Sequence, residues 1–204
     1  MKILIATHNR AKLTELKKGL SNLQKKDVEL VSLNTLSITR QPKETGKTFQ
    51  ENSLLKAQFY AHLSSLPTIA DDGGLGIYIL NGEPGVKSRR WKGYEGSDEE
   101  LIQYTLDRLS PYRDKDRSAY LQTHITFYDP QTKKTLSESE KIEGYISNKP
   151  SGRPTEGYPF RALFIVKKSN KYYDELTEKE HEIINHRLIA LKRLVEKIEK
   201  YLIE

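Results

Sequence analysis

Apolar residues in this chain follow two spacings. Short apolar runs bounded by glycine, proline or polar clusters predict strands, and apolar positions three and four apart predict helices. Lys2 to Ala6 (Lys-Ile-Leu-Ile-Ala) is a first buried strand. It runs into Thr7-His8-Asn9-Arg10-Ala11-Lys12, after which Leu13, Leu16, Leu20 and Leu23 recur at helical spacing. Val28 to Leu33 predicts a second strand. Thr48-Phe49-Gln50-Glu51 has the form of a capping box and starts a helix to about Leu63, with Asn52 and Lys56 four apart on one face. Thr68-Ile69-Ala70, bounded by Pro67, predicts a buried strand that ends at the turn Asp71-Asp72-Gly73-Gly74. Ile77 to Leu80 predicts a further strand, and Asn81-Gly82 a hairpin turn.

Ser97-Asp98 caps a helix from about Glu99 to Leu109. Arg117 to Tyr128 alternates and is rich in β-formers; Asp129-Pro130 then turns the chain toward an antiparallel partner, Thr135 to Ile146. Ser151 to Arg161 is a long irregular loop before a strand from Ala162 to Val166. Another capping box, Thr177 to Glu180, opens a helical segment. Ile184, Leu188, Leu191, Val195, Ile198 and Leu202 share one of its faces. Asn185 as a second N-cap would split that segment and put His186 and Arg187 in the first turn of the longer part. Unbroken, the helix would leave Arg187 beside the apolar stripe.

Composition narrows the class. The 204 residues suit one domain, 1–204, divided into two lobes. The absence of cysteine excludes disulfides, zinc-thiolate sites and a cysteine nucleophile, and fits a reducing, cytoplasmic location. No apolar run is long enough to span a bilayer, and Met1 to Ile5 is too short for a signal peptide, so no membrane partner is expected. A net charge of +6 suits a polyanion, either nucleic acid or a nucleoside triphosphate. The basic residues are interleaved with acidic ones along the chain, which argues against nucleic acid.

The candidate chemistry lies at the element boundaries. Thr7 to Lys12 is a strand-to-helix turn, where backbone N–H groups and the helix dipole favour an anion. It lacks the glycines of a P-loop, and a plain N-cap followed by a solvated lysine accounts for it equally well. Asp71 and Asp72 are adjacent on a strand, so they point to opposite faces and one of the two lines a site. Glu44, in the polar loop Arg40 to Lys47, is free to join it, whereas Glu51 is committed to capping. These hard-oxygen groups suit Mg2+ with several retained waters. Lys12, Lys56 and Arg187 are candidate phosphate contacts. Trp91, Tyr158 and Phe160 are candidate base-stacking rings, although such a tryptophan also serves as a loop anchor.

Five ordered segments together resemble the inosine triphosphate pyrophosphatases, which hydrolyse nonstandard purine nucleoside triphosphates. They are Thr7-His8-Asn9-Arg10-Ala11-Lys12; Glu44-Thr45-Gly46 with Thr48-Phe49, Glu51-Asn52 and Lys56-Ala57; Ala70-Asp71-Asp72-Gly73-Gly74-Leu75; Gly82 with Pro84-Gly85-Val86, Ser88, Arg90 and Gly93; and Asn185-His186-Arg187 with Ala190-Leu191. The resemblance spans nearly the whole chain. It implies an α/β fold with a mixed sheet in two lobes and a central cleft, a homodimer, Mg2+, and attack of water on the α-phosphorus to give a nucleoside monophosphate and pyrophosphate. On the matching positions, Asp72 would be the proton acceptor and, with Glu44, would hold the metal. Thr7, His8, Asn9, Arg10, Lys12, Lys56, His186 and Arg187 would bind the triphosphate.

The departures cluster at the base end. Gly157-Tyr158-Pro159-Phe160-Arg161 stands for the family's Gly-Phe-Gly-Tyr-Asp, so a donor-only guanidinium replaces an acceptor. Gly73 stands for serine, His181 for a substrate-contacting lysine, and His8 for glycine. Altered base selectivity is therefore expected on retained triphosphate chemistry. Two rivals remain: a non-hydrolysing nucleotide-binding protein on the same scaffold, and an RNA-binding module driven by charge and Trp91.

Overall fold

The computed structural model describes residues 1–203. Its elements are β1 (Lys2–Ile5), α1 (Arg10–Gly19), α2 (Ser21–Gln24), β2 (Glu29–Ser32), α3 (Phe49–Ser64), β3 (Thr68–Ile77), β4 (Glu83–Pro84), α4 (Asp98–Leu109), β5 (Ser118–Tyr128), β6 (Thr135–Ile146), β7 (Phe164–Val166), β8 (Lys171–Tyr172), α5 (Glu178–Ile184) and α6 (His186–Tyr201). The strands are hydrogen-bonded in the order β2-β1-β3-β5-β6-β7-β8, with β4 on β3. β1 runs parallel to β2 and β3, whereas β4 on β3, and β7 on β6 and β8, are antiparallel. This is the mixed α/β class expected from the motifs.

The chain divides into two units. The first comprises Met1–Asp72, Thr123–Glu140 and the segment from Arg187 onward; the second comprises Gly73–Gln122 and Lys141–His186. In the first unit, alternate strand residues face opposite ways and both faces are covered. Ile3, Ile5 and Ile69 pack with Leu16, Leu20 and Leu23 and with Leu191, Leu194 and Ile198 of α6. Leu4, Ala6, Val31 and Ala70 pack on the other side against Ala57, Tyr60 and Ala61 of α3. Burying each such leucine or isoleucine stabilises the unit by about 1.5–3 kcal/mol. The second unit has its own core, in which Leu75, Ile77, Leu121, Phe164, Val166 and Tyr173 pack with Trp91 and with Leu101 and Leu109 of α4.

Several local expectations change. β3 runs unbroken through Asp71-Asp72-Gly73-Gly74, with neither glycine at positive φ, so the aspartates lie within the strand and not at a turn beyond its end. Gly74 answers to close approach: a Cβ there would stand 2.0 Å from Ser88 Oγ. The strand expected at Ile77 to Leu80 is a single 3-10 turn over Tyr78–Leu80. The hairpin stands, because Asn81 (φ 52°) and Gly82 (φ 84°) take the left-handed conformations that bring β4 back onto β3. Thr48 caps α3 through the Glu51 N–H, but Glu51 does not return the bond to Thr48; its carboxylate accepts from the Lys47 N–H at 2.5 Å. The leucine-spaced helix after Lys12 breaks at Leu20 into α1 and α2. The C-terminal helix breaks at Asn185, whose ψ of 110° is extended, and His186 and Arg187 open α6.

Candidate active site

Adjacent positions on β3 send Asp71 and Asp72 in opposite directions, and each meets a different set of cations. Asp72 faces α3. Its Oδ1 accepts from Lys56 Nζ at 2.8 Å and its Oδ2 from Asn52 Nδ2 at 3.1 Å. Asn52 and Lys56 reach one carboxylate because four residues make about one helical turn. The same Lys56 ammonium lies 3.1 Å from Glu44 Oε1. Glu44 is held there by its loop: Asn52 Oδ1 accepts the Gly46 N–H at 2.8 Å, and a Cβ at Gly46 would lie 2.6 Å from that oxygen. Burial pulls the Lys56 pKa down, but Asp72, Glu44 and Asp71 outweigh it and raise it above the ordinary lysine value. In the same unit, Thr123 Oγ1 approaches the Asp72 carbonyl at 3.5 Å, and Ser53 Oγ and Thr126 Oγ1 pair at 2.8 Å between α3 and β5.

Asp71 is 2% exposed and pairs through Oδ2 with Lys12 Nζ at 3.2 Å and Arg187 Nε at 3.1 Å. Arg187 Nη1 also donates to Glu15 Oε2 at 2.7 Å. Burial pushes the Asp71 carboxyl up, yet the charges of Lys12, Arg187 and Lys56 prevail and hold it at about 2. Burial is also the largest influence on Lys12; with repulsion from Lys56 and Arg187 it overcomes the attraction of Asp71 and lowers the lysine pKa.

The early turn is ordered by its own side chains. Thr7 Oγ1 accepts the Asn9 N–H at 3.2 Å, and Asn9, the N-cap of α1, accepts the Lys12 N–H at 3.0 Å. Arg10 is the first residue of α1. The His8 ring stands edge-on to Tyr60 at 6.1 Å between centroids. Burial, reinforced by Glu44 and opposed by Lys56, pushes the Tyr60 hydroxyl up to about 12.

The second unit holds the remaining candidates around Tyr173. Arg161 is buried, with its guanidinium 3.5 Å from the centre of the Tyr158 ring and 4.7 Å from that of Tyr173. Tyr173 hydroxyl and His186 Nδ1 are 3.2 Å apart, the His181 ring centre lies 5.2 Å from the Tyr173 ring, and Asn185 Nδ2 lies 3.4 Å from His181 Nδ1. Phe160 is buried against Trp91. Trp91 is buried too; its indole N–H donates to Glu83 and its ring carries Arg108 at 5.4 Å. It is a loop anchor in the core and offers no stacking face for RNA. Gly73 is the first β3 residue of this unit.

Three partners escaped the sequence reading as site members. Asn52 stood on the right helix face, and its spacing from Lys56 was the signal. Glu15 lies one turn after Lys12 on α1 but carries no motif of its own. Tyr173 sits in a polar stretch, Lys171-Tyr172-Tyr173-Asp174-Glu175, with no periodicity to mark it as buried.

A family model described as the Ham1 family matches residues 3–197. The chain belongs to the Ham1 family. It is 38% identical over 204 residues to a dITP/XTP pyrophosphatase of Thermoanaerobacter pseudethanolicus, covering 100% of both chains. It is 35% identical over 196 residues to that of Bacillus subtilis, covering 96% of each. Among solved structures, a HAM1 protein from Coxiella burnetii matches with a TM-score of 0.84 at 32% identity, over 98% of this chain and 99% of that one. Membership agrees with the resemblance drawn from the five motifs. Among the described residues of this Ham1 chain, no helix is long and apolar enough to cross a membrane.

Proposed function

We propose that this protein is a Mg2+-dependent nucleoside-triphosphate pyrophosphohydrolase acting on nonstandard purine nucleotides of the dITP and XTP class, with the chain working as a single domain, as a homodimer and in the cytoplasm. The observation that carries the reading is the convergence of Asp72 and Glu44 on one lysine ammonium, with Asn52 fixing the second Asp72 oxygen. The names of the 35–38% identical relatives support the substrate class.

The donor set fits the metal. Two carboxylates offer hard oxygens, and among the described residues no three or more His, Cys, Asp or Glu side chains gather in a metal-holding cluster. Magnesium suits such a partial set, because it keeps several waters and borrows phosphate oxygens. Glu44 and Asp72 would hold it, and when bound it would neutralise phosphate charge and favour ionisation of the attacking water.

In the reaction, water attacks the α-phosphorus and the bond from that phosphorus to the α,β-bridging oxygen breaks. Asp72 takes the water proton, and pyrophosphate leaves with the bridging oxygen and its electron pair. Asn52 keeps Asp72 in one orientation, which is where positioning enters the rate. Lys12, Lys56, Arg187 and the Thr7–Lys12 turn bind the phosphates. Removal of the Asp72 charge tests the assignment: Asp72→Asn should lower pyrophosphate release from dITP with Mg2+ by about a hundredfold or more, and full activity in that variant would refute it.

The base end is read as altered. Arg161, between the rings of Tyr158 and Tyr173, presents only donors where the family carries an acceptor, and Phe160, His181 and Gly73 are further candidates for the base end. Bases with oxo acceptors facing Arg161 should be favoured over those with amino groups there. A panel of nucleoside triphosphates compared between wild type and Arg161→Asp tests this. Equal rankings in the two proteins would refute a selectivity set by Arg161.

A further inference from the structure

Lys56 occupies the position between Glu44 and Asp72 that a divalent cation would need. Its Nζ is 3.1 Å from Glu44 Oε1 and 2.8 Å from Asp72 Oδ1, and its side chain is only 12% exposed. Two carboxylates brought together in a half-buried place repel each other unless a cation lies with them. We propose that Lys56 is an internal placeholder: it holds the two carboxylates together in the empty protein and is displaced when a divalent cation arrives with the triphosphate. The inference rests on the reading of Glu44 and Asp72 as the metal-holding pair.

The consequence is conditional loading. A cation that enters alone must push a buried ammonium away from two carboxylates, and that ammonium then needs a new anionic partner. A phosphate oxygen supplies one. The free protein therefore takes up divalent cations weakly, and the metal enters with the nucleotide. The placeholder also preserves geometry, since α3 carries both Lys56 and Asn52 and fixes Asp72 before any ligand arrives.

The test reads metal binding without turnover. Mn2+ is titrated into nucleotide-free wild type, Lys56→Gln, Lys56→Met, Lys56→Arg and Glu44→Gln, with free Mn2+ followed by electron paramagnetic resonance. The neutral variants should bind Mn2+ at least about tenfold more tightly than wild type, equivalent to about 1.4 kcal/mol. Lys56→Arg should resemble wild type, and Glu44→Gln should lose binding. Two neutral variants are included so that one remains if the other does not fold. Equal affinity in wild type and the neutral variants would overturn the placeholder role while leaving the metal pair intact. Failure of every protein to bind Mn2+, even with an α,β-methylene triphosphate, would overturn the metal-pair reading itself.

Discussion

Asp71 and Asp72 are neighbours with opposite duties, and Asp71→Asn separates them. The Asp71 carboxylate is 2% exposed and balances Lys12 and Arg187 at 3.2 and 3.1 Å. Asparagine keeps the shape and removes the charge. Arg187 then keeps Glu15 at 2.7 Å, while Lys12 loses the carboxylate it faces at 3.2 Å. Removing one member of a buried ionic group typically costs about 3–5 kcal/mol. At this chain length each kcal/mol moves the melting temperature by roughly 2–4 °C, so the variant should melt roughly 6–20 °C below wild type at pH 7.

Acid titration gives an independent reading of the same carboxylate. Its folded pKa of about 2 lies below the ordinary 3.8. A depressed carboxyl contributes stability that is fully present above the unfolded value and is lost as pH falls through the folded one. The loss should therefore fall between about pH 4 and pH 2, and amount to about 2 kcal/mol. Melting curves across that window, wild type against Asp71→Asn, isolate it from other acids, because only the wild type carries this term. A variant that melts within about 2 °C of wild type at pH 7 and shows the same acid profile would refute the balance described for Asp71.

Three further outcomes are expected. Asp72→Asn should lower pyrophosphate release by about a hundredfold or more while moving the melting temperature less than Asp71→Asn does, since Lys56 keeps Glu44; both are read on one preparation. Glu44→Gln should raise the Mg2+ concentration needed for half-maximal rate, and a chelator should stop the wild type. Gly74→Ala should destabilise by about 1–3 kcal/mol in denaturant unfolding, because its Cβ would meet Ser88 Oγ at 2.0 Å and the Gly85 carbonyl at 2.9 Å.

The elements legible in the sequence were those with periodicity or caps. The hairpin at Asn81-Gly82 and the caps at Ser97 and Thr177 followed from local rules and stand in the structure, and of the two readings open at Asn185 the split is the one the chain adopts. The opposite facing of Asp71 and Asp72 followed from strand geometry alone, as did the shared face of Asn52 and Lys56. What failed was inference from glycine. Gly73-Gly74 read as a turn because glycine permits one, but Gly74 is there for the approach of Ser88, a residue fourteen positions along the chain whose place no local rule reveals. Trp91 was ambiguous for a related reason: flanking cations suggested a nucleic-acid contact, whereas its indole N–H is spent on Glu83 and its ring on Tyr104 and Phe160.

Charge balance in the first unit bears on how the proposed triphosphate would be accepted there. Lys12, Lys56 and Arg187 are not bare; Asp71, Asp72, Glu44 and Glu15 already neutralise them. Three cations against four carboxylates leave this set of groups with a net negative charge, which repels a polyphosphate. A dication held by Glu44 and Asp72, as proposed, would reverse that sign and release Lys56 toward a phosphate oxygen. Nucleotide affinity should thus depend on the divalent cation far more than on general salt, unlike the steep monovalent-salt dependence of a surface that holds a polyanion by free lysines and arginines. Equilibrium binding of an α,β-methylene triphosphate with and without Mg2+, at two NaCl concentrations, distinguishes the two. Tight Mg2+-free binding that collapses in NaCl would mean that these cations face the ligand directly and that the carboxylates do not hold them.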